Sequence, residues 1–236
     1  MSNLHDPVLP GTARTDYERY LRTDELLALQ KDPATAAHRD EVLFQVIHQS
    51  SELWLKLACF EVETAIGLID RDEIWSAVRL LRRASDALDL VQANTRMLEH
   101  LAPWDYHGVR PSLGHGSGFD SPGFRRTHEL SPKLGEAFDR LLDRRRVSLA
   151  DLYKKSHEHE DLFQTAERLV DWDQRLVLWR DLHLKLVERI IGGQVIGTQG
   201  TPVEVLGRRI DVRYFLPLWN VRNALTDEAQ TSPEAG

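Results

Sequence analysis

Two long stretches of the chain repeat apolar residues at helical spacing, and no other feature limits the fold as strongly. Over residues 38–70 the set Leu43, Phe44, Ile47, Trp54, Leu55, Ala58, Val62, Ala65 and Ile66 falls on one side of a 3.6-residue repeat. Over residues 73–101 Ile74, Val78, Leu81, Ala84, Leu88 and Val91 form a second stripe, which stops before Pro103. A third helix is expected over 162–191, carrying Trp172, Leu176, Trp179, Leu182 and Leu186 and ended by Gly192-Gly193. Few segments alternate with period two, and Asn-Gly or Asp-Gly hairpin turns are absent. The fold class is therefore all-α.

The rest of the chain is read around these helices. Residues 1–14, with Pro7, Pro10 and Gly11, form a flexible arm, and 17–30 a short amphipathic segment. Residues 103–132 are rich in Gly, Ser and Pro and cannot be regular helix throughout. Helical patterns resume at 133–147 and 148–191, and short turns are expected over 203–225. One domain is expected over 15–225, with a polar, disordered tail at 226–236.

Composition excludes several classes. The net charge of -7 disfavours general binding to a nucleic-acid backbone, and the run Arg144-Arg145-Arg146, without interleaved aromatics, reads as a solvated helix face. No apolar run reaches the roughly 18 residues of a membrane span. A single cysteine, Cys59, rules out a disulfide within the chain and suits a reducing compartment. With no basic-then-apolar leader at the start, a cytoplasmic location is expected.

Ten histidines are scattered along the chain. His157 and His159 are two apart and would point to different sides of a helix, and no His-Glu-x-x-His pattern occurs. His48 and His183 stand out because each follows an aromatic residue, Phe44 and Trp179, by one turn inside an apolar stretch. A neutral imidazole can ligate iron or move a proton, although a lone histidine of this kind is more often a hydrogen-bonded core residue. Arg110, four residues after Tyr106 at the mouth of the Gly/Ser run, is either a fork for a carboxylate or a structural partner of loop carbonyls. Ser117-Gly118 lets backbone approach a flat ligand or an anion. Taken alone, these residues describe a helical protein with a possible cofactor pocket.

Four ordered blocks resemble the tryptophan 2,3-dioxygenase family. They are Tyr17-Glu18-Arg19-Tyr20-Leu21; Asp40-Glu41-Val42-Leu43-Phe44 through His48-Gln49-Ser50-Ser51-Glu52-Leu53-Trp54-Leu55-Lys56; Tyr106, Arg110, Leu113-Gly114, Ser117-Gly118-Phe119, Ser121 and Arg125; and Leu169-Val170-Asp171, Trp179-Arg180, His183, Arg189, Ile191-Gly192 and Gly197-Thr198. The resemblance implies a helical fold around non-covalent haem b, a homo-oligomer (dimer or tetramer), and oxygenation of L-tryptophan by dioxygen to N-formylkynurenine. It implies His183 as the iron ligand, His48 as the distal catalytic group, and Phe44 as the wall for the indole. Arg110 becomes the carboxylate clamp with Tyr106, Thr198 a partner of the amino-acid end, and Leu113 a further substrate-side residue. Ser117, Gly118 and Arg125 fall where the family lines the haem, and Tyr17 and Tyr20 where it reaches into a neighbouring subunit.

The chain departs from the family pattern in places. The stretch between Arg125 and Leu169 is shorter than in the family, and Gln199-Gly200-Thr201-Pro202 replaces a Gly- and Ser-rich closing loop. Asp120 stands for glutamine, Phe124 for tyrosine, and Thr95 for an aromatic residue. An alternative reading is therefore a haem monooxygenase acting on a tryptophan derivative or another indole and giving an oxindole or hydroxylated product.

Overall fold

The computed structural model describes residues 6–196, 202–208 and 210–231. Four long helices carry the architecture: α3 (Glu41–Asp70), α4 (Ile74–Thr95), α6 (Pro122–Arg145) and α8 (Glu160–Ile191). The short ones are α1 (Asp16–Leu21), α2 (Thr23–Leu27), α5 (Pro103–Val109), α7 (Leu149–Lys154) and α9 (Glu204–Gly207), and α10 (Leu216–Thr231) closes the chain. The described residues contain no β-sheet, only an isolated bridge between Ile196 and Pro202. None of their helices is long and apolar enough to cross a membrane.

Local chemistry explains the boundaries. α3 and α4 form an antiparallel hairpin because Asp72 turns left-handed (φ 65°). Asp72 N then reaches Ile69 O at 3.1 Å and Glu73 N reaches Leu68 O at 2.9 Å, which satisfies the last carbonyls of α3. Arg146 (φ 54°) ends α6 in the same way, with Val147 N on Leu142 O at 3.2 Å. These two helix ends meet. Arg140 grips Asp70, Arg144 donates to Ile69 O at 2.6 Å, and Arg145 pairs with Asp72 at 2.8 Å. The arginine cluster thus places positive charge against the C-terminal end of α3, where the helix dipole favours it.

The structure draws element boundaries inside three of the segments read from the sequence. The segment 17–30 is two helices, broken at Arg22 (φ 53°). Inside 103–132, α5 begins with Pro103 in its first turn, and α6 begins at Pro122, eleven residues before the expected 133. Ser121 caps α6 by accepting from Phe124 N at 3.1 Å, and Pro132 is tolerated inside the helix. The polar run expected as a tail continues α10 to Thr231, and residues 232–236 lie outside the described set. In the arm, Asp16 accepts from Val8 N and Leu9 N, at 3.0 and 2.7 Å.

Apolar packing is divided. The main core joins the C-terminal half of α3 to α4, α6 and the N-terminal half of α8, around Leu55, Val62, Leu81, Leu88, Leu134 and Trp172. Trp172 is fully buried, and its indole nitrogen donates to Ser131 Oγ at 2.9 Å. Its neighbour Asp173 is also fully buried and accepts from Tyr214 N (2.9 Å), Phe215 N (3.0 Å) and Trp219 Nε1 (3.1 Å), which docks the C-terminal segment. A second, smaller cluster has Ile47, Leu98, Leu186 and Ile190 at its centre. Leu43, Phe44, Tyr106, Leu182 and Ile191 pack around it while remaining partly open.

Candidate active site

The site lies at the second cluster, where the first half of α3 faces the second half of α8. His48 stands one turn beyond Phe44, and their rings stack with centroids 4.0 Å apart at 25°. His48 Nδ1 lies 2.7 Å from Phe44 O. A carbonyl can only accept, so Nδ1 carries the proton and Nε2 of the neutral ring keeps its lone pair. Burial pushes the His48 pKa below its ordinary value, although the residue remains accessible to solvent. The His48 ring is thus packed on Phe44 on one side and open to solvent on another.

His183 approaches the same cluster from α8. Burial pushes its pKa down to about 4, and the charge on His48 adds to the shift, so the two imidazoles feel each other. With a pKa of about 4, the His183 ring is uncharged at neutral pH. Among the described residues His183 has no hydrogen-bond partner in the protein. Its ring lies 5.0 Å from that of Trp179 and nearly parallel to it (8°), and Trp179 stacks in turn on Phe124 at 3.7 Å. Trp179 Nε1 points to Thr95 Oγ1 at 3.3 Å, a contact that the small threonine leaves room for. Gly118 presents only backbone to the other side of His183: a Cβ added there would sit 3.8 Å from Nε2.

Arg110 opens a 3-10 turn, Arg110–Leu113, directly after α5. It is half-buried and has no hydrogen bond or ion pair among the described residues. Burial raises the pKa of Tyr106 and the Arg110 charge opposes that rise, which places the guanidinium near the phenol. A half-buried guanidinium without a protein partner is suited to an incoming carboxylate. The turn itself is held by Glu41, whose buried carboxylate accepts from Ser112 Oγ (2.6 Å), Lys31 Nζ (2.7 Å) and Ala37 N (2.9 Å). These bonds, the one from Lys31 foremost, hold the Glu41 pKa down to about 2.

The 117–125 turn is seated on α3 by Glu52, one turn below His48. Glu52 accepts from Ser121 Oγ and from Gly123 N at 3.0 Å. Any side chain at Gly123 would meet Leu55 Cβ at 2.6 Å and Glu52 Oε2 at 2.7 Å, so only glycine fits. Ser117 accepts from Phe119 N at 3.3 Å, and its own N–H donates to Asp120 Oδ2 at 2.9 Å. Asp120 thus closes this small turn.

The residues expected from the sequence therefore fall into groups. Phe44, His48, Gly118 and His183 come together, and Tyr106 packs on the same cluster with Arg110 beside it. Ser117 belongs to the adjoining turn, Leu113 is half-buried, and Arg125 is exposed. Tyr17 and Tyr20 are 69% and 78% exposed on α1, too open to form part of this site within one chain. Thr198 lies outside the described residues. Sequence reasoning missed Glu41 and Glu52 as positioning groups. The available signal was their spacing, three residues before Phe44 and four after His48.

Comparison with known proteins gives concordant matches. The family model for tryptophan 2,3-dioxygenase matches residues 6–148, which include Phe44, His48, Tyr106, Arg110 and Ser117 but stop short of His183. Tryptophan 2,3-dioxygenase of Caulobacter vibrioides (strain ATCC 19089 / CIP 103742 / CB 15) is 34% identical, over 89% of this chain and 98% of that protein. The Erythrobacter litoralis (strain HTCC2594) enzyme of the same name is 33% identical over the same shares. That of Bradyrhizobium sp. (strain ORS 278) is 31% identical over 95% of this chain and all of its own length.

Proposed function

Since the chain belongs to the tryptophan 2,3-dioxygenase family, we propose that it opens the indole ring of L-tryptophan with both atoms of dioxygen, giving N-formylkynurenine. The observation that carries this reading is the placing of two imidazoles at one cluster, His48 stacked on Phe44 and His183 between Trp179 and Gly118, with the half-buried guanidinium of Arg110 beside Tyr106 of the same cluster.

The family implies haem, and the donor set suits it. His183 offers a neutral imidazole free of competing protein bonds, and Gly118 supplies a flat backbone surface beside Nε2. We take the group to be haem b, held through His183, with Ser117 along its edge and the exposed Arg125 available to a propionate. When bound, it supplies the ferrous centre at which dioxygen reacts.

The chain's own groups select and orient the substrate. Arg110 grips the carboxylate, which distinguishes an amino acid from plain indole, because a guanidinium left unpaired would be penalised. Tyr106 and Leu113 close that end, and Thr198 is assigned to the amino-acid group of the substrate. Phe44 lies along the indole plane. His48 Nε2 accepts from the indole N–H and keeps it oriented, since the bond from Nδ1 to Phe44 O fixes the tautomer. Trp179 fixes the plane of the His183 ring.

The exposed tyrosines of α1 support an oligomer of the family type, in which Tyr17 and Tyr20 reach the site of a neighbouring copy. A cytoplasmic location fits the lone, unpaired Cys59.

The test is the visible spectrum of the ferrous protein with and without L-tryptophan, followed by product analysis under isotopic dioxygen. Two labelled atoms in N-formylkynurenine are expected; one atom in an oxindole would replace this reading with a monooxygenase. His183→Ala should lose most of the Soret absorbance, whereas His48→Ala should keep it and lose rate.

A further inference from the structure

A groove between the N-terminal halves of α4 and α8 forms a cavity of about 300 Å³ lined by Trp75, Val78, Arg79, Arg82, Gln164 and Arg168. The spacing explains why these side chains converge. Trp75, Val78, Arg79 and Arg82 occupy positions i, i+3, i+4 and i+7 of α4, one stripe of that helix, and Gln164 and Arg168 are one turn apart on α8. Arg168 lies fifteen residues before His183, so the groove is about 22 Å along the helix from the haem ligand.

Its charge is locally uncompensated. Arg168 pairs with Asp171 at 2.9 Å, yet its Nε is buried without an acceptor. Among the described residues neither Arg79 nor Arg82 has a hydrogen bond or an ion pair, and Asp86, one turn beyond Arg82, is not within ion-pairing distance. At the rim, Glu160 is taken up by the amide of Gln164 at 2.8 Å. Two free guanidinium charges thus remain in a chain whose net charge is -7. Beside them, Trp75 keeps 59% of its surface open, and Val78 continues the apolar wall.

We propose that this groove is a second ligand site, specific for a small phosphate monoester attached to a flat aromatic ring. Planar guanidiniums from two helices match the oxygens of a dianion, and the two free charges match its charge. The indole of Trp75 offers the ring a stacking surface. A carboxylate supplies only one charge, and bare phosphate leaves the tryptophan wall unused.

Calorimetric titration of the full chain as purified, at low salt, tests this with phenyl phosphate, inorganic phosphate and benzoate as probes. Phenyl phosphate should bind once per chain, at least tenfold tighter than either other probe. Arg79→Gln and Arg82→Gln should each weaken it at least tenfold, and Trp75→Ala should bring it to the level of inorganic phosphate. Arg110→Ala should leave it unchanged, which separates this groove from the tryptophan site. Absence of phenyl phosphate binding, unchanged binding in the Arg79→Gln/Arg82→Gln double variant, or equal binding of benzoate would overturn the proposal.

Discussion

The two ends of the bundle use the same two helices for opposite purposes. At one end, the second half of α3 and the first half of α8 disappear into a core in which Ala58, Val62, Leu169 and Trp172 have essentially no exposed surface. At the other end the same helices surround a cluster of only four buried apolar residues, with Phe44, Tyr106 and Leu182 half open around it. The tight end holds the geometry, and the loose end leaves polar and aromatic groups unsatisfied. A site that must admit a flat cofactor and an amino acid cannot be close-packed beforehand, so its order has to come from the neighbouring packed region.

Substitutions at the two ends should separate stability from binding. The largest stability loss is expected from Trp172→Ala, which removes a fully buried indole and leaves Ser131 Oγ without its donor. About 3–5 kcal/mol should be lost in chemical denaturation, with haem content of the remaining folded protein unchanged. If haem content falls in proportion, the two ends are one cooperative unit. At the loose end, Arg110→Ala should raise KM for L-tryptophan by about 1.5–3 kcal/mol, roughly tenfold to a hundredfold, and leave the denaturation midpoint in place. An unchanged KM would remove the clamp.

Glu41 ties the loose end to α3, and its titration reports that tie. Its carboxyl ionises at about 2 in the folded chain against an ordinary 4.5. The unfolded chain therefore takes up the proton first, and the stabilisation, complete above 4.5, is lost as the pH falls toward 2. Between those values the melting temperature of the parent should fall more steeply than that of Glu41→Gln; parallel curves would break the link. The smallest effect concerns Cys59, inside the packed end, whose thiol burial pushes up to about 11. Its labelling by a thiol reagent at neutral pH should be slow in the folded chain and rapid in denaturant.

The long helices were legible because burying one face of α3, α4 or α8 requires a regular apolar stripe, and such a stripe survives in the sequence. The start of α6 was not. Ser121, Pro122, Gly123 and Pro132 read as loop residues, whereas in three dimensions Ser121 caps the helix and Gly123 is small because Leu55 and Glu52 press on it. Spacing singled out Phe44, His48, Arg110 and His183, which the fold brings to one cluster, while their roles were proposed from the family resemblance and not from spacing. Glu41 and Glu52 were not singled out, because a carboxylate on a helix looks solvated until its partner is known. Their partners at Ser112, Ser121 and Gly123 lie about seventy residues away in the chain.

α8 carries Asp173, which anchors the C-terminal segment, and His183 ten residues later on one unbroken rod. Each residue of an α-helix advances the direction of its side chain by about 100°. Adding or deleting one residue between them would therefore swing the imidazole away from His48 while the anchor stayed in place. Between the anchor and His183 the rod works like a crankshaft, and its throw is set by residue count.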